Sequence, residues 1–201
     1  MQHFRILWLA LIIISFLCFP AKHALSISEV YKDNIYNPGQ LKSIDSTRKV
    51  EVGQKAPGFS LPSVSGETVS LSQYRNIKHV VISFVPAAWT PVCSDQWPGY
   101  NITKELFDQN DAILLGITVD NIPTLFALTK QMGDLWFPVL SDFWPHGKIA
   151  DMFGVLRSDG VSERALFIVD KEGIIRYAQV TDINKRPDLK NLLEALESLN
   201  K

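Results

Sequence analysis

One short apolar run constrains the fold of this chain more than any other feature. The run from Val80 to Val85 reads Val-Val-Ile-Ser-Phe-Val. Near-continuous β-branched and aromatic residues are typical of a strand buried on both faces, at the centre of an α/β sheet. The run passes directly into the segment from Pro86 to Cys93, PAAWTPVC, where a helical pattern begins. We therefore predict a central strand whose carboxyl end leads through a turn into a helix.

Along the rest of the chain, apolar runs with β propensity alternate with helical patterns, which is typical of an α/β fold. The predicted helices are Cys93 to Gln109, Pro123 to Met132, Ile149 to Phe153 and the amphipathic Pro187 to Leu199. The further predicted strands are Ala112 to Val119, Phe137 to Leu140, and a hairpin of Ala165 to Val169 with Ile174 to Gln179. This order predicts a thioredoxin-like fold, with a central mixed β-sheet flanked by helices.

The chain has 201 residues, of which 46% are apolar and 20% charged, the size of one domain with an extension. Its formal net charge of -1 creates no positive electrostatic potential that would attract nucleic acid, so we expect no nucleic-acid partner. Residues 27–49 are polar and lack a clear period, which indicates a linker or an arm lying on the domain. The domain itself is predicted to span residues 50–201.

Residues 1–26 contain no acidic residue, and Arg5 precedes an apolar run from Ile6 to Phe19. This pattern predicts a signal peptide, with the small residues Ala24 and Ser26 suited to cleavage. An uncleaved membrane anchor is the alternative, and only in that case do we expect contact with a membrane. Both interpretations place the rest of the chain outside the cytoplasm, in a periplasm or secreted.

The chain has two cysteines, Cys18 and Cys93, and removal of residues 1–26 leaves Cys93 alone. A single cysteine cannot form an intrachain disulfide. Cys93 follows the carboxyl end of a predicted strand and begins a predicted helix. The free N–H groups and the dipole of a helix N-terminus favour a reactive thiolate. From position alone, a cysteine that merely packs in the core is an equal alternative.

Reduction of a peroxide by a thiolate requires a group that orients the peroxide oxygens, a positive charge and a pocket that excludes water. Thr90 lies three residues before Cys93, so its hydroxyl can reach the sulfur on a tight first turn. Pro86 can form a wall of the pocket without offering a competing N–H. Arg164 opens a predicted strand and can bring its charge to the same edge of the sheet.

The spacing Pro86-x-x-x-Thr90-x-x-Cys93, followed far downstream by Arg164, resembles the active-site pattern of the peroxiredoxins, the alkyl hydroperoxide reductase and thiol-specific antioxidant family. The likeness continues through residues 53–62, 66–72, 137–142 and 165–177. Residues 140–147, LSDFWPHG, are similar to a stretch of AhpE-like one-cysteine peroxiredoxins. Many relatives carry glutamate three residues after the cysteine, whereas this chain has Gln96.

The resemblance implies that Cys93 is the peroxidatic cysteine, that Thr90 and Arg164 activate peroxide and thiolate, and that Pro86 shields the pocket. It implies a hydroperoxide substrate and a reducing thiol or thioredoxin-like protein from outside the chain. It implies no cofactor and no metal. We also expect a homodimer.

Two other functions fit parts of the pattern. Trp89 to Cys93 is similar to a thioredoxin-like redox loop, but Thr90 replaces the first cysteine and removes the dithiol. An exported metal-carrying module would require further ligands near Cys93, and the sequence offers no second cysteine there.

The export segment leads to the first testable prediction. Cell fractionation should recover the protein outside the cytoplasm, because residues 1–26 have the charge and apolar pattern of an export signal. N-terminal sequencing of the exported protein should begin near Ile27 if the signal is cleaved. A freely soluble, full-length product in the cytoplasm would contradict the prediction.

Overall fold

The computed structural model describes residues 33–200. The predicted export segment, residues 1–26, therefore lies outside the described residues. The strands are β1 Ser60–Pro62, β2 Thr68–Ser70, β3 His79–Phe84, β4 Ala112–Thr118, β5 Val139–Ser141, β6 Arg164–Val169 and β7 Ile175–Thr181. The α-helices are α1 Pro91–Asn101, α2 Lys104–Gln109, α3 Ile122–Met132, α4 Lys148–Phe153 and α5 Leu189–Ser198.

Five strands form the central sheet in the order β5-β4-β3-β6-β7. Strand β3 pairs in parallel with β4, and β4 pairs in parallel with β5. Strand β6 runs antiparallel to both β3 and β7. Every residue of β3 is buried, as its apolar run predicts. The predicted thioredoxin-like fold with a mixed central sheet is confirmed.

The two faces of the sheet carry separate cores, because successive side chains of a strand point to opposite sides. Ile82 and Phe84 pack on one face with helix α4 and the small β1–β2 hairpin. Val81 packs on the other face with Trp97 of α1, and with α3 and α5. Gly116 in β4 lets the Trp97 ring lie against the sheet, since a Cβ at this position would be 3.0 Å from that ring.

The prediction of one continuous helix from Cys93 to Gln109 is wrong, because two helices, α1 and α2, cover this stretch. The break follows the carbonyl of Tyr100, which accepts hydrogen bonds from the N–H and hydroxyl of Thr103 at 3.1 and 2.8 Å. The indole of Trp136 donates to the same oxygen at 3.1 Å. Because these donors occupy the carbonyl of Tyr100, the hydrogen-bond pattern of the α-helix does not continue through it. The hairpin of β1 and β2 was not predicted either.

Residues 35–49 form no strand of either sheet, yet they lie against the domain. Ser43 accepts a backbone hydrogen bond from Ile183 at 3.0 Å, and Lys49 donates one to Phe153 at 3.1 Å. In the stretch from residue 33 to 200, no helix is long and apolar enough to cross a membrane.

Candidate active site

Cys93 lies where the central strand enters the first helix. Strand β3 ends at Phe84, residues 85–90 form the turn, and α1 begins at Pro91. Proline suits the first helical position, because it has no N–H to leave unpaired and its φ is already helical. Cys93 therefore lies in the first turn of α1, with only 1% of its surface exposed. The position at the N-terminus of a helix is the one that the sequence predicts.

The turn before Cys93 is held from both sides. The N–H of Ala88 donates to a carboxylate oxygen of Asp120, which follows β4, at 2.8 Å. Trp89 adopts a left-handed conformation, with φ of 58°. Its carbonyl accepts a hydrogen bond from the N–H of Tyr36 at 2.8 Å, so residues before the domain contact the turn directly.

Arg164 reaches Cys93 because β6 is the antiparallel neighbour of β3. Phe84 at the end of β3 pairs with Ala165, which places Arg164 at the edge of the sheet where α1 begins. The guanidinium is buried, with 1% of the residue exposed, and its Nη2 donates to the Cys93 Sγ at 3.4 Å. The sequence predicted this meeting, although the two residues are 71 positions apart.

Gln96 holds the other side of the guanidinium. Its side-chain oxygen accepts a hydrogen bond from Nη1 of Arg164. Its amide nitrogen donates to Ser83 Oγ at 3.2 Å and to the Tyr100 hydroxyl at 3.0 Å. Burial raises the pKa of Tyr100, which keeps this hydroxyl protonated near neutral pH. The neutral amide of Gln96 therefore orients the arginine as a hydrogen-bond acceptor.

No carboxylate of the described residues neutralises the charge of Arg164. Between residues 33 and 200 it forms no ion pair, and its remaining partner is the carbonyl of Ile183. That oxygen accepts from Nε at 3.2 Å and from Nη2 at 3.0 Å. Neutral acceptors thus fix the guanidinium while its positive charge remains directed at the sulfur.

Thr90 and Pro86 line the same cleft as Cys93 and Arg164. Pro86 is buried and Thr90 is half-buried. The hydroxyl of Thr90 donates to the carbonyl of Ala87 at 3.0 Å. Because its proton is directed to that carbonyl, the oxygen can meet a ligand in the cleft only as an acceptor. The spacing from Cys93 predicts a hydroxyl near the sulfur but does not predict this hydrogen bond to Ala87.

The cleft has a volume of about 840 Å³ and is open to solvent. One wall comes from residues 36–41, and another from Ile183 and Asn184. No sequence motif predicts that these residues belong to the site. The acceptor at Ile183 is a backbone oxygen, which any residue type supplies, so no side-chain pattern could have indicated it.

No group of three or more histidine, cysteine or carboxylate side chains in the described region is placed to hold a metal ion. His146 contacts the Gly160 carbonyl at 2.6 Å and lies outside the Cys93 cleft. The groups in contact with Arg164 are the Cys93 sulfur and neutral acceptors. The carboxylate of Asp159, which accepts from Arg157 Nε at 3.2 Å, also lines the cleft.

Comparisons with known proteins identify the family of the chain. The AhpC/TSA family model matches residues 52–178. The chain is 34% identical to alkyl hydroperoxide reductase E of Mycobacterium tuberculosis over 151 residues, which covers 75% of this chain and 98% of that protein. It is 32% identical to the chloroplastic 2-cysteine peroxiredoxin of Chattonella marina over 159 residues, covering 75% of this chain and 80% of the relative.

A solved structure shares the fold. The reduced 2-Cys peroxiredoxin of Plasmodium vivax superimposes with a TM-score of 0.71 and 26% identity, over 75% of this chain and 82% of that one. The family model covers more than half of the chain, and the residues that carry the resemblance meet in one cleft. The chain belongs to the AhpC/TSA family and is a peroxiredoxin.

Proposed function

We propose that Cys93 is the peroxidatic thiol of this thiol-dependent peroxidase and that a thiol from another molecule reduces its oxidised form. The observation that carries the proposal is the contact of 3.4 Å between Arg164 Nη2 and Cys93 Sγ at the first turn of α1. A cation and a helix N-terminus both stabilise a thiolate, the nucleophilic form of cysteine. Membership of the peroxiredoxins supports the same chemistry.

In the first half-reaction, the Cys93 thiolate attacks one oxygen of hydrogen peroxide or of an organic hydroperoxide. An S–O bond forms and the O–O bond breaks, giving a sulfenic acid and, after the leaving oxygen takes a proton, water or an alcohol. Arg164 is placed to stabilise the negative charge that moves from sulfur to the leaving oxygen. The Thr90 oxygen can accept a hydrogen bond from the peroxide hydroxyl and so orient the peroxide oxygens, and Pro86 limits water at the sulfur.

In the second half-reaction, a thiol attacks the sulfenic acid, releasing water and forming a mixed disulfide. A second thiol then reduces this disulfide and regenerates Cys93. Cys93 is the one cysteine in the part of the chain that the structure describes. Cys18 lies in the predicted export segment. We therefore propose a one-cysteine mechanism with a small thiol or a thioredoxin-like protein as the reductant.

Export from the cytoplasm remains part of the proposal and depends on the pattern of residues 1–26. The homodimer also remains a prediction, supported by family membership.

Replacement of the nucleophile provides the main test. Cys93→Ser should abolish peroxide reduction, because the hydroxyl is a far weaker nucleophile than the thiolate. Single-turnover stopped-flow kinetics with hydrogen peroxide would measure the loss, and circular dichroism would verify the fold. Cys18→Ser is the matched control and should keep the wild-type rate. Activity near wild type in Cys93→Ser would show that the proposed function is wrong.

The hydroxyl of Thr90 allows a second test. Thr90→Val preserves the shape of the side chain and removes the oxygen, so the peroxide step should slow by about 10²–10³-fold, as for other preorganised transition-state groups. Thr90→Ser keeps the oxygen and should retain most of the rate. Equal rates for the valine variant and the wild type would remove Thr90 from the mechanism.

The fate of the oxidised cysteine tests the one-cysteine mechanism. After one equivalent of peroxide, residues 27–201 should carry a sulfenic acid on Cys93 that dimedone traps, because the described domain holds no resolving thiol. Mass spectrometry measures the adduct, and excess peroxide should convert it to sulfinic acid. Fast and quantitative formation of a Cys93–Cys93 disulfide between two molecules would contradict the prediction.

A further inference from the structure

The segment from Tyr36 to Asp45, called the arm below, lies outside residues 52–178, the part matched by the family model. It nevertheless borders the Cys93 cleft. The turn that supplies the arginine's carbonyl acceptor, residues 182–184, also lies outside the matched part. These two segments contact each other, and together they reach Arg164 through backbone groups.

The contacts between arm and turn are specific. Asn184 accepts a hydrogen bond from the N–H of Leu41 at 3.0 Å and donates its amide to the Leu41 carbonyl at 2.9 Å. The carbonyl of Ser43 accepts from the N–H of Ile183 at 3.0 Å. An asparagine side chain that pairs with both the N–H and the C=O of one residue acts like an added strand segment and fixes the distance between the two backbones.

The turn is also held by hydrogen bonds within itself. The backbone N–H and the amide of Asn184 both donate to the same Asp182 oxygen, at 3.0 and 2.7 Å. These donations lower the pKa of Asp182. With its N–H bound to the arm and its carbonyl bound to Arg164, the Ile183 residue is held on both sides.

A second anchor fastens the arm beside Arg164. The N–H of Asp45 donates to Glu163 at 2.5 Å, and Glu163 directly precedes Arg164 in the chain. Glu163 is fully buried and forms an ion pair of 2.9 Å with Arg157. A buried, paired carboxylate has little freedom to move, because separating the pair would leave an uncompensated charge.

We propose that Asn184 is a positioning residue of the peroxidase reaction, which latches the arm to the 182–184 turn and thereby holds the Ile183 carbonyl under the guanidinium of Arg164. Arg164 donates two hydrogen bonds to that carbonyl and one to the sulfur. A shift of the turn would therefore change the direction of the guanidinium relative to Cys93. The proposal depends on the proposed role of Cys93 and adds a part of the site that lies outside the family model.

The test compares two peroxides and two backgrounds. In the full chain, Asn184→Ala should slow single-turnover oxidation of Cys93 by about tenfold, and by the same factor with hydrogen peroxide and with cumene hydroperoxide, because the effect passes through Arg164. In an Arg164→Gln background, Asn184→Ala should cause no further loss of rate, since the guanidinium that Asn184 positions is absent.

Asn101→Ala is the matched control. Its side chain also bridges two backbone groups, Asp134 and Trp136, at the far end of α1, and its rate should match the wild type.

Three results would overturn the proposal: an unchanged rate in Asn184→Ala, a loss confined to cumene hydroperoxide, or an equal loss in the Arg164→Gln background. A loss with the bulky peroxide alone would indicate a wall of the cleft, and an equal loss in both backgrounds would indicate general destabilisation. If Arg164→Gln does not fold by circular dichroism, Arg164→Met, which also removes the guanidinium, serves as the second background. Failure of the proposed function appears separately, as peroxide reduction that persists in Cys93→Ser.

Discussion

The contact between the guanidinium of Arg164 and the sulfur of Cys93 is the interaction on which the rest of this site depends. A buried cation is costly unless its donors are satisfied, and a buried thiolate is costly unless a positive group faces it. Each group therefore supplies what the other requires. The sheet makes the contact possible, because β6 is inserted antiparallel beside β3 and begins at the edge where β3 ends.

The partners of Arg164 explain how its charge can serve the sulfur. A carboxylate at position 96 would neutralise part of that charge. Gln96 accepts a hydrogen bond from Arg164 and does not reduce its positive charge. The amide is itself fixed by Ser83 and Tyr100, so its oxygen points to the arginine without freedom to rotate away. Glutamine at position 96 therefore keeps the guanidinium oriented without neutralising its charge.

The arm lies outside residues 52–178, the part that the family model matches, yet it contacts this site. Its backbone contacts reach the turn before Cys93 at Trp89, the acceptor turn at Ile183, and the residue before Arg164. Because each contact involves a backbone group or a buried carboxylate, the arm can influence the site without contributing a catalytic side chain. This is consistent with the mostly exposed side chains of residues 36–44.

Local patterns in the sequence were sufficient for the fold class, the central strand, and the position of Cys93 at the start of a helix. They are sufficient because burial and helix initiation depend on neighbouring residues: the apolar run of β3 and proline at the first position of α1. The spacing of Pro86, Thr90 and Cys93, from the turn after β3 into the first turn of α1, was also visible in the sequence. Arg164 was found through its place at the start of a predicted strand.

The division of the helix after Tyr100, the hydrogen bond from Thr90 to Ala87, and the contacts of the arm with residues 183 and 184 were decided by the tertiary structure alone. Each depends on a carbonyl or N–H whose partner is distant in sequence or set by a turn, and every residue type carries these groups. Residue identity therefore does not encode them. The sequence by itself determined which side chains are the candidates for the chemistry, and the tertiary structure determined which backbone groups hold them in place.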